Sequence, residues 1–318
     1  RFHQGRLIEA EGLAEEILPD ARVRGDRFGE GMMLLLTSLV RLWSGRTVAA
    51  VERAEEARAH YLRVGDQVGL LQAEAALGRS LISSGQVTAG FATLTESFDL
   101  LGRMQPRRGE ALAATVWTAA ALHVGDLDRS RLHVGELDTS DDLGQPSGWD
   151  RASARGLYHL QHGEVDEARS VLLAAVQHDG AEVSPGLIAT LALADVAAGD
   201  TVAALAGADR AHESNRSTYL DMAYSYMAAG LSHAIRGDFS ELIAAFAAGR
   251  QEVDLTGDAV AQAVVRLAEG YALTAVGATS ARSVAREAQR RLLDLGIEAA
   301  GWAAVFRTAT GRRTTVGR

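Results

Sequence analysis

His159 and His162 stand three residues apart, with Glu164 two further on. Residues three apart are neighbours on a helix, so two imidazoles and a carboxylate could face one metal ion. A structural zinc closes four ligands, and this set offers three. His162 and Glu164 also flank Gly163, where polar residues are expected of a helix end, so the turn reading is preferred and no metal is expected. The remaining histidines (His3, His60, His123, His133, His178, His212 and His233) show no ligand spacing. No Gly-x-Ser-x-Gly elbow, no cysteine and no His/Asp pair beside a serine supports nucleophilic catalysis. A chain without lysine cannot carry the phosphate-binding Gly-x-x-x-x-Gly-Lys loop. Paired carboxylates such as Glu15–Glu16, Glu55–Glu56 and Asp141–Asp142 read as solvated faces. The expectation is a protein that is not an enzyme and has no cofactor.

Binding chemistry is better represented. Trp149, Asp150 and Arg151, with Tyr158 and His159, gather aromatic rings and charge in one short stretch. Asn215 and Arg216 precede Tyr219, Asp221, Tyr224 and Tyr226, three tyrosines within eight residues. On a helix Tyr219 and Tyr226 can share one face, and Asp221 and Tyr224 another. Ring faces beside carboxylate, amide and guanidinium groups suit a sugar, whose C–H faces stack while its hydroxyls need partners. The alternative is packing, with tyrosines half-buried in a helix interface and their hydroxyls wet.

The elements that must hold these groups announce themselves through glycine. Gly5, Gly45, Gly85, Gly125, Gly163, Gly199, Gly237 and Gly277 follow one another at 40, 40, 40, 38, 36, 38 and 40 residues. Such a period means stacked helical hairpins, each dependent on its neighbours to bury its apolar face. Seven residues before the glycine the side chain is small: Ser38, Gly78, Thr118, Gly156, Ala192, Gly230 and Gly270. Five residues after it stand Ala10, Ala50, Gly90, Ser130, Ala168 and Ala204, with Leu242 and Arg282 departing. Two small positions twelve residues apart across a glycine turn predict a close antiparallel crossing. Other junctions are expected at Gly65–Asp66, Gly257–Asp258 and Gly296. The polar stretch 139–148 reads as a hinge or groove lip, and Pro106, Pro146 and Pro185 each read as opening a helix, where a missing N–H is no loss.

Composition agrees with an all-α array. Hydrophobic residues make up 47% of the 318, aromatics only 5%, and four prolines leave the helices largely intact. All 32 basic residues are arginine and the net charge is −9, which is against direct nucleic-acid contact. Arg307, Arg312, Arg313 and Arg318 form a local exception. No run of 18 apolar residues and no signal peptide stands out, so a cytoplasmic, membrane-free protein is expected. Because the chain opens on Arg1, it is expected to be a piece of something longer.

The spacing resembles the tetratricopeptide repeat, with a small residue early in its first helix, a glycine turn, and a small residue early in its second. The units here are longer than the family's 34 residues. Four residues before the turn, where the family often has Tyr, stand Arg41, Leu81, Ala121, His159, Asp195, His233 and Leu273. The resemblance implies a right-handed α-solenoid of about eight hairpins, whose first helices line a concave groove at two, six, ten and thirteen residues before each turn. Those positions include Trp43, Gln72, Arg79, His123, Asp150, Tyr224 and Tyr271 among many Ala and Leu. Such stripes are more commonly core than pocket.

A second resemblance lies near the end. Residues 285–296, a helical stretch ending Leu295-Gly296, and then Trp302-Ala-Ala-Val-Phe306 leading to Arg312-Arg313, resemble the segment before the DNA-binding domain of large ATP-dependent LuxR-type regulators of actinobacteria, the maltose-regulator class. It implies a sensor array over 1–300, then a final helix and Arg-rich linker over 301–318 toward a DNA-binding domain absent here, with an ATPase absent before it. It also implies a small-molecule inducer such as a sugar, or a protein partner, and an oligomeric parent. A protein-interaction scaffold and a structural oligomerisation array are the alternatives.

Overall fold

In a computed structural model, the backbone is described for residues 6–104, 107–137, 147–179 and 183–311, and side chains for 6–98, 115–135, 151–177 and 183–311. These residues form sixteen α-helices and a 3-10 turn at Val134–Leu137, without a strand among them. Gly5, Pro106, Pro146, most of the polar stretch 139–148, Arg312, Arg313 and Arg318 lie outside the described residues.

The helices are α1 (Leu7–Arg24), α2 (Arg27–Trp43), α3 (Thr47–Val64), α4 (Gln67–Ser83), α5 (Val87–Met104), α6 (Arg107–Val124), α7 (Leu127–Arg131) and α8 (Ser147–Gln161). They continue as α9 (Val165–Asp179), α10 (Pro185–Ala198), α11 (Thr201–His212), α12 (Tyr219–Arg236), α13 (Phe239–Asp254), α14 (Ala259–Ala275), α15 (Ala281–Asp294) and α16 (Ala300–Gly311). The chain packs as two units. One holds residues 1–116 and 255–259, the other 117–254 and 260–318.

In each unit successive helices pack on one another as hairpins of a solenoid-like repeat. All seven described turn glycines have φ between 73° and 92°, a left-handed conformation that costs glycine little. The residue after the turn donates its N–H to the carbonyl five residues back, as in Arg46 to Arg41 at 2.9 Å and Asp200 to Asp195 at 2.9 Å. This Schellman closure satisfies carbonyls that a helix end would otherwise leave orphaned. Aspartates then cap the following helices, Asp126 accepting from Arg129 N–H and Asp200 from Ala203 N–H.

The small positions meet where their spacing predicts. Ser38 donates its hydroxyl to the Ala50 carbonyl at 3.1 Å. A Cβ on Gly90 would lie 2.6 Å from the Gly78 carbonyl oxygen, so α4 and α5 touch backbone to backbone. Where the second position is Leu242 or Arg282, the first helix's glycine is covered further along, Gly230 by Phe246 and Gly270 by Ala285. One hairpin is truncated: after Gly125 the second helix lasts only Leu127–Arg131. Gly135 and the acidic run that follows it supply no apolar stripe to continue it.

Candidate functional site

The second unit gathers three of the groove positions on one helix. Its final helix α16 packs on α8, α10 and α12, each the first helix of its hairpin. Trp302, Val305, Phe306 and Ala309 of α16 are fully buried. Their four- and three-residue spacings make one apolar face. The Trp302 indole N–H donates to the His123 carbonyl at 2.9 Å, its ring meets Tyr224 edge-on at 5.4 Å, and Tyr271 lies 6.0 Å from Phe306. Trp302 and Phe306 stack on each other at 5.7 Å. The face that His123, Tyr224 and Tyr271 mark is thus filled from within the chain.

The docking is close and carries two costs. Gly301 donates its N–H to the Gly125 carbonyl at 2.9 Å. A Cβ on Gly301 would sit 3.1 Å from the Gln161 Cβ, inside ordinary contact. Gln161 is wholly buried and gives its amide N–H to the Leu122 carbonyl at 2.8 Å, but its Oε1 has no hydrogen-bond partner. An orphaned buried acceptor costs about 1–3 kcal/mol. Ala299, buried just before α16, holds φ at 51°, a conformation rare for a residue with a Cβ and costing about 1–3 kcal/mol.

Between α16, α12 and α14 remains a cavity of about 10 Å³, room for one water at most, walled by His123, Leu220, Tyr224, Met227, Val264 and Trp302. Small-ligand clefts run to roughly 300–1,000 Å³. With α16 docked, the cavity is too small for a saccharide.

The structure divides the tyrosine cluster of the α12 hairpin. Tyr219 is buried at the start of α12. Asp221 accepts the Thr218 N–H at 2.8 Å while its own N–H reaches the Thr218 hydroxyl, a capping box that uses the carboxylate locally. Tyr226 stacks on His212 at 4.2 Å, and burial raises its phenol pKa, with the Glu252 charge adding to it. Tyr224 turns to α16. In the other cluster Trp149 and Asp150 belong to α8, but their side chains are outside the described residues. Arg151 is half-buried, and Tyr158 lies against the His162 ring at 4.1 Å.

His159 and His162 are spent separately. His159 Nδ1 lies 2.6 Å from Glu164 Oε2, and His162 Nδ1 donates to the Tyr158 carbonyl at 2.9 Å. Among the described residues no group of three His, Asp or Glu side chains is placed to hold a metal. A Ser/His pair that linear spacing hides does form: Ser225 Oγ is 2.7 Å from His212 Nε2, with Asp209 close enough to act on the imidazole. Ser225 is fully buried and donates to the Met222 carbonyl at 2.8 Å, so this contact joins α11 to α12 and presents no nucleophile.

Two further features went unseen in the sequence. In the first unit the Arg79 guanidinium lies 4.8 Å above the Trp43 ring, joining two of the expected groove positions through a cation–π contact. The second feature stands at two of the positions four residues before the turn, Arg41 and Asp195. The Schellman bond sets that position beside the residue after the turn, and here the pair is often charged. Arg41 and Arg46 clamp Glu11 of α1 at 3.1 and 2.5 Å, and Asp195 and Asp200 clamp Arg169 of α9 at 2.8 and 3.5 Å. Burial pushes the Glu11 carboxyl up, but hydrogen bonds and charge from Arg46 and Arg41 outweigh it and hold it below the usual range. Burial raises Asp195, and Arg169 offsets this only in part.

Compared with known proteins, the sequence matches no protein-family model and no curated protein. No helix among the described residues is long and apolar enough to cross a membrane.

Proposed function

We propose that this chain is the signal-sensing domain of a LuxR-type transcriptional regulator of the maltose-regulator class. It binds a small polar metabolite, a saccharide by preference, on the face marked by His123 and Tyr224, and relays occupancy to ATPase and DNA-binding domains elsewhere in the parent protein. The observation that carries the reading is the convergence of His123, Tyr224 and Tyr271, three positions expected to line the groove, on one surface of the second unit. The resemblance over residues 285–313 supplies the regulator context. A ligand acts only through unequal affinity for two states, and the enclosed volume beside Tyr224 requires that the binding state be the more open one.

Thermal unfolding against a panel of sugars and phosphorylated metabolites tests this. A ligand at a hundred times its dissociation constant adds about 2.7 kcal/mol to the bound unit. A saturable upward shift that Tyr224→Ala abolishes is the expected outcome; a flat panel removes the metabolite reading. One observation favours a second reading. The face already holds a helix through an aromatic pair four residues apart, the manner of a helix-in-groove scaffold.

A further inference from the structure

We propose that α16 is a dissociable latch. It covers the face of the second unit formed by α8, α10 and α12, and its release is the step that admits a ligand. The inference deepens the sensing reading above and rests on it only for the ligand's identity.

Two features mark the docked helix as a removable occupant. It enters through a connection that turns left-handed at Gly296, φ 73°, as glycine readily does, and again three residues on at Ala299, φ 51°. The second is strained, and Ala299 lies under the Gly125 turn, where a Cβ on Gly125 would come 3.2 Å from the Ala299 Cα and 2.8 Å from Trp302. Undocking lets Ala299 relax. The docked state also leaves the Gln161 carboxamide oxygen buried and unpaired beneath Gly301, and undocking gives that oxygen water. Against these costs stands the burial of Trp302, Val305, Phe306 and Ala309 on a single helical face. A helix held by one apolar stripe and two polar contacts, and opposed by strain and an orphaned acceptor, opens before the unit around it does.

What it uncovers has a definite chemistry. The His123 and Gly125 carbonyls lose the indole and amide N–H groups that satisfy them when docked. With Gln161 Oε1 they make three hydrogen-bond acceptors under the start of α16, and the Tyr224 ring loses its contact with Trp302. A replacement must donate hydrogen bonds and offer a face to an aromatic ring, and a hydroxyl-rich sugar does both. Ligand and α16 then compete for the same carbonyls, so binding displaces α16.

Amide hydrogen exchange on the full chain tests the latch with no ligand present. Amides of 303–309 are expected to exchange at least tenfold faster than those in the middle of α12, through an opening smaller than global unfolding. Gly301→Ala, which presses a methyl group onto Gln161, destabilises the docked state and is expected to speed α16 at least tenfold further, with α16 still at least tenfold ahead of α12. Because the chain has no cysteine, a Gly301→Cys/Gln161→Cys pair forms a single disulfide. Once oxidised it is expected to slow α16 to the rate of α12, and reduction to reverse this. The latch is overturned if α16 and α12 exchange at one rate in the wild type and still at one rate in Gly301→Ala. A flat saccharide panel with the expected exchange pattern removes the sensing reading and leaves the latch standing.

Discussion

Gly90→Ala and Gly12→Ala make the same chemical change, in α5 and α1, and are expected to move stability in opposite directions. At Gly12 a Cβ meets nothing within 4 Å, so alanine's advantage over glycine in a helix, about 0.8–1 kcal/mol, is realised almost in full. At Gly90 the same advantage meets the Gly78 carbonyl oxygen at 2.6 Å and the Ile82 nitrogen at 2.9 Å. Both are backbone atoms, which cannot turn aside as a side-chain end does. Overpacking of this kind costs about 1–3 kcal/mol, and parting α4 from α5 lies toward the upper end. The net expectation is a loss of about 1–2 kcal/mol at Gly90, and a separation of about 2–3 kcal/mol between the variants. Urea unfolding followed by circular dichroism reads both as midpoint shifts at constant slope. A stabilised Gly90→Ala chain would refute the claim that small residues twelve apart set the hairpin crossing.

Other expectations follow from the second unit and the charge clamps. Trp302→Ala removes the largest fully buried side chain among the described residues and its bond to His123, and calorimetry should find the second unit weakened by about 3–5 kcal/mol; an unchanged transition would place α16 outside the fold. Burial holds the His212 imidazole below its usual 6.5, against the pull of Asp209. The unfolded chain therefore takes up that proton first, and stability falls as pH drops from about 6.5 through the lowered folded value. His212→Gln should flatten that limb in pH-dependent urea midpoints, and an unaltered limb would assign it elsewhere. Glu11 is held low by Arg46 and Arg41, so its contribution is complete above about 4.5 and is lost as pH falls through its folded value. Glu11→Gln should reduce the acid loss of stability, and 0.5 M salt should change a partly buried clamp less than an exposed pair.

The local half of this architecture was legible because its causes are local. A glycine that must take positive φ and a small residue where helices cross leave a mark at fixed spacing, and the seven described turns and the Ser38–Ala50 and Gly78–Gly90 contacts follow it. Trp43 and Arg79 are each counted back from a turn, but their contact joins two hairpins and shows in neither alone. The tyrosine cluster misleads because helical period alone cannot say which face a neighbour covers. Tyr226 goes to His212, Tyr224 to Trp302, and Asp221 to its own helix start. Position four before the turn looked like a lost aromatic. At Arg41 and Asp195 the partner is a charge on the preceding helix, 26 to 30 residues away, which no single repeat displays. The docking of Trp302 on His123 spans 179 residues, and no local sign in the helix that carries Trp302 tells that it folds back.

The most direct measurement follows Trp302 while the protein meets its ligand. The chain has four tryptophans, and replacing Trp43, Trp117 and Trp149 with phenylalanine leaves Trp302 as the sole reporter, buried and stacked on Phe306. The saccharide panel is then titrated by fluorescence and by thermal shift in parallel. A sugar that raises the unfolding temperature should also shift the Trp302 emission to the red, with one saturation curve for both, as α16 leaves and the indole meets water. A sugar that stabilises the protein while the emission stays at its buried wavelength would contradict the account, because binding would then leave α16 in place.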